Sequence, residues 1–247
     1  MRSPIKNLKN KTNSISKIKE LIPKGSVVQT YPFYDGAVEF SLSESDRFVI
    51  GSTKSSVVAE FWNYATIDSK KVSLIAEKMF PILNENTFDL FKKNWFSYKD
   101  PYVRSALFFL LNRCSSLGMI THGDLDTANY NALSLSELRL FQVSNFEILL
   151  IPENEDYNTS KHTDINLFNP GSYYFDALNT EQVIGLEESP FSHNDNLKIF
   201  SNQPTIFIYK FHPRLLKFKK YSKILLDKNG RQTDDVTSAK EIILHNV

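Results

Sequence analysis

The sequence predicts an α/β fold whose sheet is interrupted by a helical insertion, and three observations predict it. Apolar runs of strand length alternate with stretches of helical period over the first 65 residues. A purely helical stretch follows, and a second group of strand-like runs closes the chain. The composition, 41% hydrophobic over 247 residues, supplies a core for one large domain or a domain with a substantial insertion.

The elements follow in order. "SISKIKELIP" places Ile15, Ile18, Leu21 and Ile22 at helical 3–4 spacing, and Pro23-Lys24-Gly25 ends it. "SVVQTY" and "RFVIGS" (47–52) read as buried strands, with "GAVEF" between them as a short helix or turn. "SSVVAEFWNYATI" restarts a helix. Helix–strand–helix–strand–helix is the order of a sheet with parallel strands. Residues 66–140 are helical in period, with Asp100 as N-cap, Pro101 as first helical residue and Gly118 as C-terminal stop. Strand-like runs return at 146–152, 172–178, 205–211, 220–227 and 240–246. Asn229-Gly230 lies between the last two, so these pair antiparallel. The expected core is 1–65 with 141–247, and the insertion is 66–140.

Charge and chemistry narrow the function. The net charge of +1 gives no global signal for nucleic acid. One local run, "KFHPRLLKFKKYSK" (210–223), concentrates cations among aromatics, and its plain reading is the solvated edge of a strand or helix. The single cysteine, Cys114, excludes an internal disulfide and fits a reducing compartment. The N-terminus lacks the apolar centre of a secretory signal, and the longest apolar run, "ALFFLL", is too short to span a bilayer. The expectation is a cytoplasmic protein with no membrane contact. There is no phosphate loop, no nucleophile elbow and no Cys/His metal spacing. The five histidines are scattered, and "HGDLD" (122–126) lacks the further carboxylate a cation site needs, so no metal is expected.

The order of six segments resembles one family, the Dam-class DNA adenine methyltransferases. "NKTNSISKIKELIPKG" is similar to the family's opening helix after Gly-Gly-Lys. It keeps Lys11 but has Lys9 and Asn10 for the glycines. "YPFYDGAVEF" stands for the strand ending in E-P-F-x-G-x-G, and "RFVIGSTKSSVV" for the strand ending in D-x-N. "KDPYVRSALFFLLNRCSSLG" is the most specific match, with Asn112-Arg113 and Gly118 in register; the family's Arg and Asn after that glycine are absent from "MITHG". "SPFSHNDNLKIF" and "GRQTDDVTSAKEIILHN" match the closing segments.

The resemblance implies a Rossmann-like S-adenosylmethionine-dependent methyltransferase fold with a helical target-recognition insertion, acting on duplex DNA. Its cofactor-binding positions fall on Lys11, Pro32, Phe33, Asp35, Gly36 and Ser52. The departures lie at those positions. Tyr31 replaces the acid, Asp35 and Ala37 stand at the two glycine positions, Ser52 replaces the carboxylate that would hold the ribose, and Lys54 replaces the Asn. The family's D-P-P-Y maps to Asp176-Ala177-Leu178-Asn179, so Asp176 is the catalytic candidate, without the aromatic that stacks on a flipped base. DNA contacts are expected from Arg113, Lys217, Lys219 and Lys220.

Three functions follow as alternatives. One is a methyltransferase homologue, impaired or inactive, that does not bind S-adenosylmethionine but still contacts DNA. Another is an active but diverged enzyme. The third is a reused fold with a structural or protein-interaction role.

Overall fold

The computed structural model describes residues 3–6, 12–118, 120, 123–152, 155, 157–171 and 192–247. Lys11, His122, Asp176 and the strand expected over 172–178 lie outside the described residues. The chain divides into two compact units. One holds residues 3–6 and 55–143, the other 12–54, 144–171 and 192–247.

The second unit is an α/β sheet of seven strands in the order β3-β2-β1-β4-β5-β7-β6. The strands are β1 (Val27–Tyr31), β2 (Phe48–Thr53), β3 (Phe146–Leu150), β4 (Ile165–Gly171), β5 (Thr205–Lys210), β6 (Ser222–Leu226) and β7 (Glu241–His245). The first five run parallel. β7 is antiparallel to both β5 and β6, so the hairpin expected from Asn229-Gly230 is present. This mostly parallel sheet is compatible with a Rossmann-like fold. Leaving β1, the chain adds β2 and β3 on one side, then returns to add β4 and β5 on the other. The topological switch point therefore lies between β1 and β4.

Alternation along the strands divides the core. Val28, Val49, Ile165, Leu167, Ile206, Ile208 and Ile243 face one side, where α1 (Ile15–Leu21) brings Ile18 and α2 (Ala37–Ser43) brings Val38 and Leu42. Phe168, Phe207, Tyr209, Ile242 and Leu244 face the other, against Leu197 of α7 (His193–Ile199) and Phe200. Burying strands on both faces is why these runs read as continuous apolar stretches.

The helical unit contains α3 (Ser56–Met79), α4 (Glu85–Asn94), α5 (Pro101–Cys114) and α6 (Ala132–Arg139). It starts near residue 55, not at 66, because "SSVVAEFWNYATI" is the first half of the long helix α3, which departs from helical geometry only at Asp68. Asp100 caps α5 as expected, its carboxylate accepting Tyr102 N–H at 2.8 Å. The helix ends at Cys114, before Gly118. Gly118 instead takes a positive φ of 65° in the following turn, and its carbonyl accepts Asn112 Nδ2 at 2.8 Å. Phe61 and Phe108 stack with centroids 4.6 Å apart where α3 meets α5, with Trp62 fully buried beside them. Among the described residues no helix is long and apolar enough to cross a membrane.

Candidate functional site at the carboxyl edge of the sheet

In open α/β sheets ligands bind outside the carboxyl ends of the strands at the switch point. Here that place is formed by the ends of β1, β2 and β4, and it gathers most of the described candidate positions.

After β1 the chain passes a cis Tyr31–Pro32 peptide and enters the loop 33–36. Phe33 turns inward. Its N–H donates to Ser52 O at 2.8 Å, and its fully buried ring lies against Phe146 and Phe40, with centroids 5.3 and 6.3 Å away. Gly51 makes this possible, since a Cβ there would meet Phe33 Cγ at 2.9 Å. Gly36 has φ of 71°, and a Cβ on it would meet the Phe40 ring at 2.1 Å, so this position requires glycine on two grounds. Asp35 accepts Ala37 N–H at 2.8 Å through Oδ1, placing its carboxylate at the start of α2. Pro32 is half-buried.

Ser52, at the end of β2, is fully buried and its Oγ receives Gln29 Nε2 at 3.1 Å. Gln29 is the hub of a polar cluster. Nε2 also donates to Asn158 O, while Oε1 accepts Ser160 N–H at 2.7 Å and Thr163 Oγ1 at 3.0 Å. The segment 158–163 is thereby fixed to the middle of β1. Beside it, Tyr31 stacks on Tyr157 at 5.0 Å, and Tyr157 donates to Asn166 Oδ1 at 2.9 Å.

Three polar groups here were not singled out in the sequence. Glu39, in the first turn of α2, is 3% exposed and pairs with no Lys or Arg among the described residues. Burial, with the Asp35 carboxylate adding to it, raises its carboxyl to about 7. Thr30, buried on β1, hydrogen-bonds the Glu39 carboxyl through its side chain and offsets part of that rise. Asn169 Oδ1, near the end of β4, is buried without a hydrogen-bond partner among the described residues. β4 ends in Asn169-Pro170-Gly171 and pairs with β1 through Leu167 opposite Thr30 and Phe168 opposite Tyr31. The strand next to β1 is therefore 165–171, a segment not among the strand-like runs read from the sequence.

The remaining candidates are elsewhere. Arg113 belongs to the helical unit. Its Nε donates to Pro4 O at 2.6 Å and its Nη2 reaches Glu137 at 3.3 Å, leaving the side chain 13% exposed. Beside it Asn112 accepts Lys6 N–H at 2.5 Å and donates to Lys6 O at 3.2 Å. The Asn-Arg pair thus ties the N-terminal segment to α5, a tying role the motif allows. Lys217, Lys219 and Lys220 are exposed in the β5–β6 connection. Among the described residues no group of three or more His, Cys, Asp or Glu could hold a metal ion. Compared with protein-family models and with characterised proteins, the sequence gives no match.

Proposed function

We propose that this chain is a relative of the Dam-class DNA adenine methyltransferases in which the cofactor pocket is degraded, so that methyl transfer is impaired or lost. The scaffold supports the kinship. A Rossmann-like sheet carries its helical unit between β2 and β3, where the resemblance places the target-recognition insertion.

The observation that carries the loss is Ser52. A ribose needs a carboxylate at this strand end to accept both hydroxyls, whereas Ser52 offers one hydroxyl, buried and already bonded to Gln29. Two further arrangements agree. Asp35 takes an N–H at the start of α2 and brings a negative charge to the loop that would meet the cofactor's own carboxylate. Tyr31, in the place of the family's acid, packs on Tyr157. Each hydrogen bond lost to a charged group costs about 1.5–3 kcal/mol. Several such losses exceed what a micromolar ligand tolerates, its whole binding free energy being about 8 kcal/mol.

A second reading, an active but diverged enzyme, is favoured by Asn169. Its side-chain carbonyl, near the end of β4 and followed by Pro170, is buried with no hydrogen-bond partner among the described residues. A base amino group is a donor of the required kind. Transfer of a labelled methyl group from S-adenosylmethionine to unmethylated DNA separates the two. No incorporation above a protein-free blank is expected, and incorporation that Asn169→Ala removes would establish the second reading.

A further inference from the structure

The two outermost strands of the sheet are treated differently. β6 is bonded by the chain that follows it: Thr233 N–H donates to Leu225 O at 3.0 Å, and Gln232 bridges Leu226 antiparallel. β3, at the opposite side, pairs with β2 alone. Its bonds to β2 run from Asn145 O, which accepts Val49 N–H at 2.8 Å, to Ile151 N–H, which donates to Thr53 O at 2.8 Å. Alternate residues of a strand turn their backbone groups to opposite sides, so Phe146, Ile148 and Leu150 direct their N–H and C=O outward. These groups have no backbone partner among the described residues. Leu149 and Leu150 are 41% and 47% exposed. Lysine, proline or a bulge ordinarily guards such an edge, and β3 has no lysine, no proline and an unbroken register.

The strand fits a second copy of itself. Two such edges paired antiparallel about a two-fold axis must match outward residue to outward residue. With Ile148 on the axis, Phe146 meets Leu150 of the second copy on one face, and Glu147 meets Leu149 on the other. All the outward residues are then used, giving about six hydrogen bonds. The next pair would be Ser144 with Pro152, and both are already satisfied. Pro152 has no N–H to donate, its carbonyl accepts Glu155 N–H at 3.0 Å, and Ser144 O accepts the Ser43 hydroxyl. The ladder therefore stops where the fold has used its ends. Neighbouring registers are worse. Centred on Glu147, the two carboxylates would stand opposite each other; centred on Leu149, Phe146 would face Pro152.

We infer that β3 is a dimerisation edge, across which two copies of this chain join their sheets by antiparallel β3–β3 pairing. The inference does not depend on methyl transfer or on the cofactor reading. A strand lent by another protein would use the same backbone groups. It would not account for a register that keeps the two Glu147 carboxylates apart and ends at groups already bonded. A ladder of this length with two partly exposed leucines is a small interface, so the dimer is expected to be weak and concentration-dependent.

The test is sedimentation equilibrium of the full chain up to about 200 μM. A monomer–dimer equilibrium without larger species is expected, because two-fold pairing closes on itself. The decisive comparison is between two substitutions at one exposed position. Leu149→Glu sets a carboxylate opposite Glu147 of the second copy in both symmetry-related pairs, whereas Leu149→Lys sets a cation there. Both remove the same leucine, so their difference reads the register. The Lys variant should dimerise about tenfold more tightly than the Glu variant, and the gap should narrow in high salt. Three outcomes overturn the inference: a chain that stays monomeric at about 200 μM, which would leave the edge to a strand of another protein; equal dimerisation of the Glu and Lys variants; or assembly that continues beyond the dimer.

Discussion

The arginines of the helical unit and the lysines of the β5–β6 connection use positive charge in different ways. In the helical unit each arginine has an acidic partner. Arg104 makes a bidentate pair with Glu60 and adds bonds to the carbonyls of Tyr98 and Lys99, and Arg113 joins Glu137 to the N-terminal segment. In the connection Lys217 and Lys219 are exposed, Lys220 donates to Ser201 Oγ at 3.0 Å, and Lys223 bonds the carbonyls of Phe218 and Tyr221. The difference teaches that a count of cations says little by itself, because what a cation contributes depends on the acids and carbonyls the fold sets beside it.

Three perturbations break or sharpen this contrast. The largest effect is expected for Arg104→Met, which leaves Glu60 without its partner. The two side chains are 17% and 23% exposed, so the cost should be about 2–3 kcal/mol, below the 3–5 typical of a fully buried pair, read as a shift in urea midpoint.

Glu39 is the acid counterpart, buried without a cation. Its carboxyl is raised from 4.5 to about 7, so the folded state binds the proton more tightly than the unfolded one. Its contribution to stability is complete below about pH 4.5 and is lost as pH rises through about 7. Glu39→Gln removes that loss. The variant's stability relative to the parent should grow by about 2 kcal/mol between pH 5 and pH 8, from paired urea titrations. A difference independent of pH would mean that Glu39 is ionised with an unrecognised partner. Smallest of all, replacing Lys217, Lys219 and Lys220 together by Ser should alter stability by no more than about 0.5 kcal/mol, because these side chains are exposed. A larger loss would show them to hold the connection together.

Much of the fold was legible because local chemistry and packing agree. Asp100-Pro101 starts α5, and β1, β2 and β5 are apolar runs because both faces are covered. β4 was missed for a physical reason. "INLFNPG" mixes Asn with apolar residues and ends in Asn-Pro-Gly, which reads as a turn, whereas "SYYFDAL" has the stronger strand propensity. Asn166 is tolerated inside the sheet because Tyr157, Thr159 and Gln203 satisfy its side chain, partners 7 to 37 residues away. The site was legible only in part for the same reason. The replacement at Ser52 is visible in the sequence, but its bond to Gln29 is a long-range contact. Glu39, within "GAVEF", looks like the polar face of a helix until the fold buries it.

The central claim is that the carboxyl edge of β1 and β2 no longer holds a nucleoside cofactor, and isothermal titration calorimetry with S-adenosylmethionine tests it most directly. The engagement of Ser52 by Gln29 and of Ala37 N–H by Asp35 predicts no saturable heat below about 1 mM ligand. A dissociation constant below about 10 μM would contradict the account.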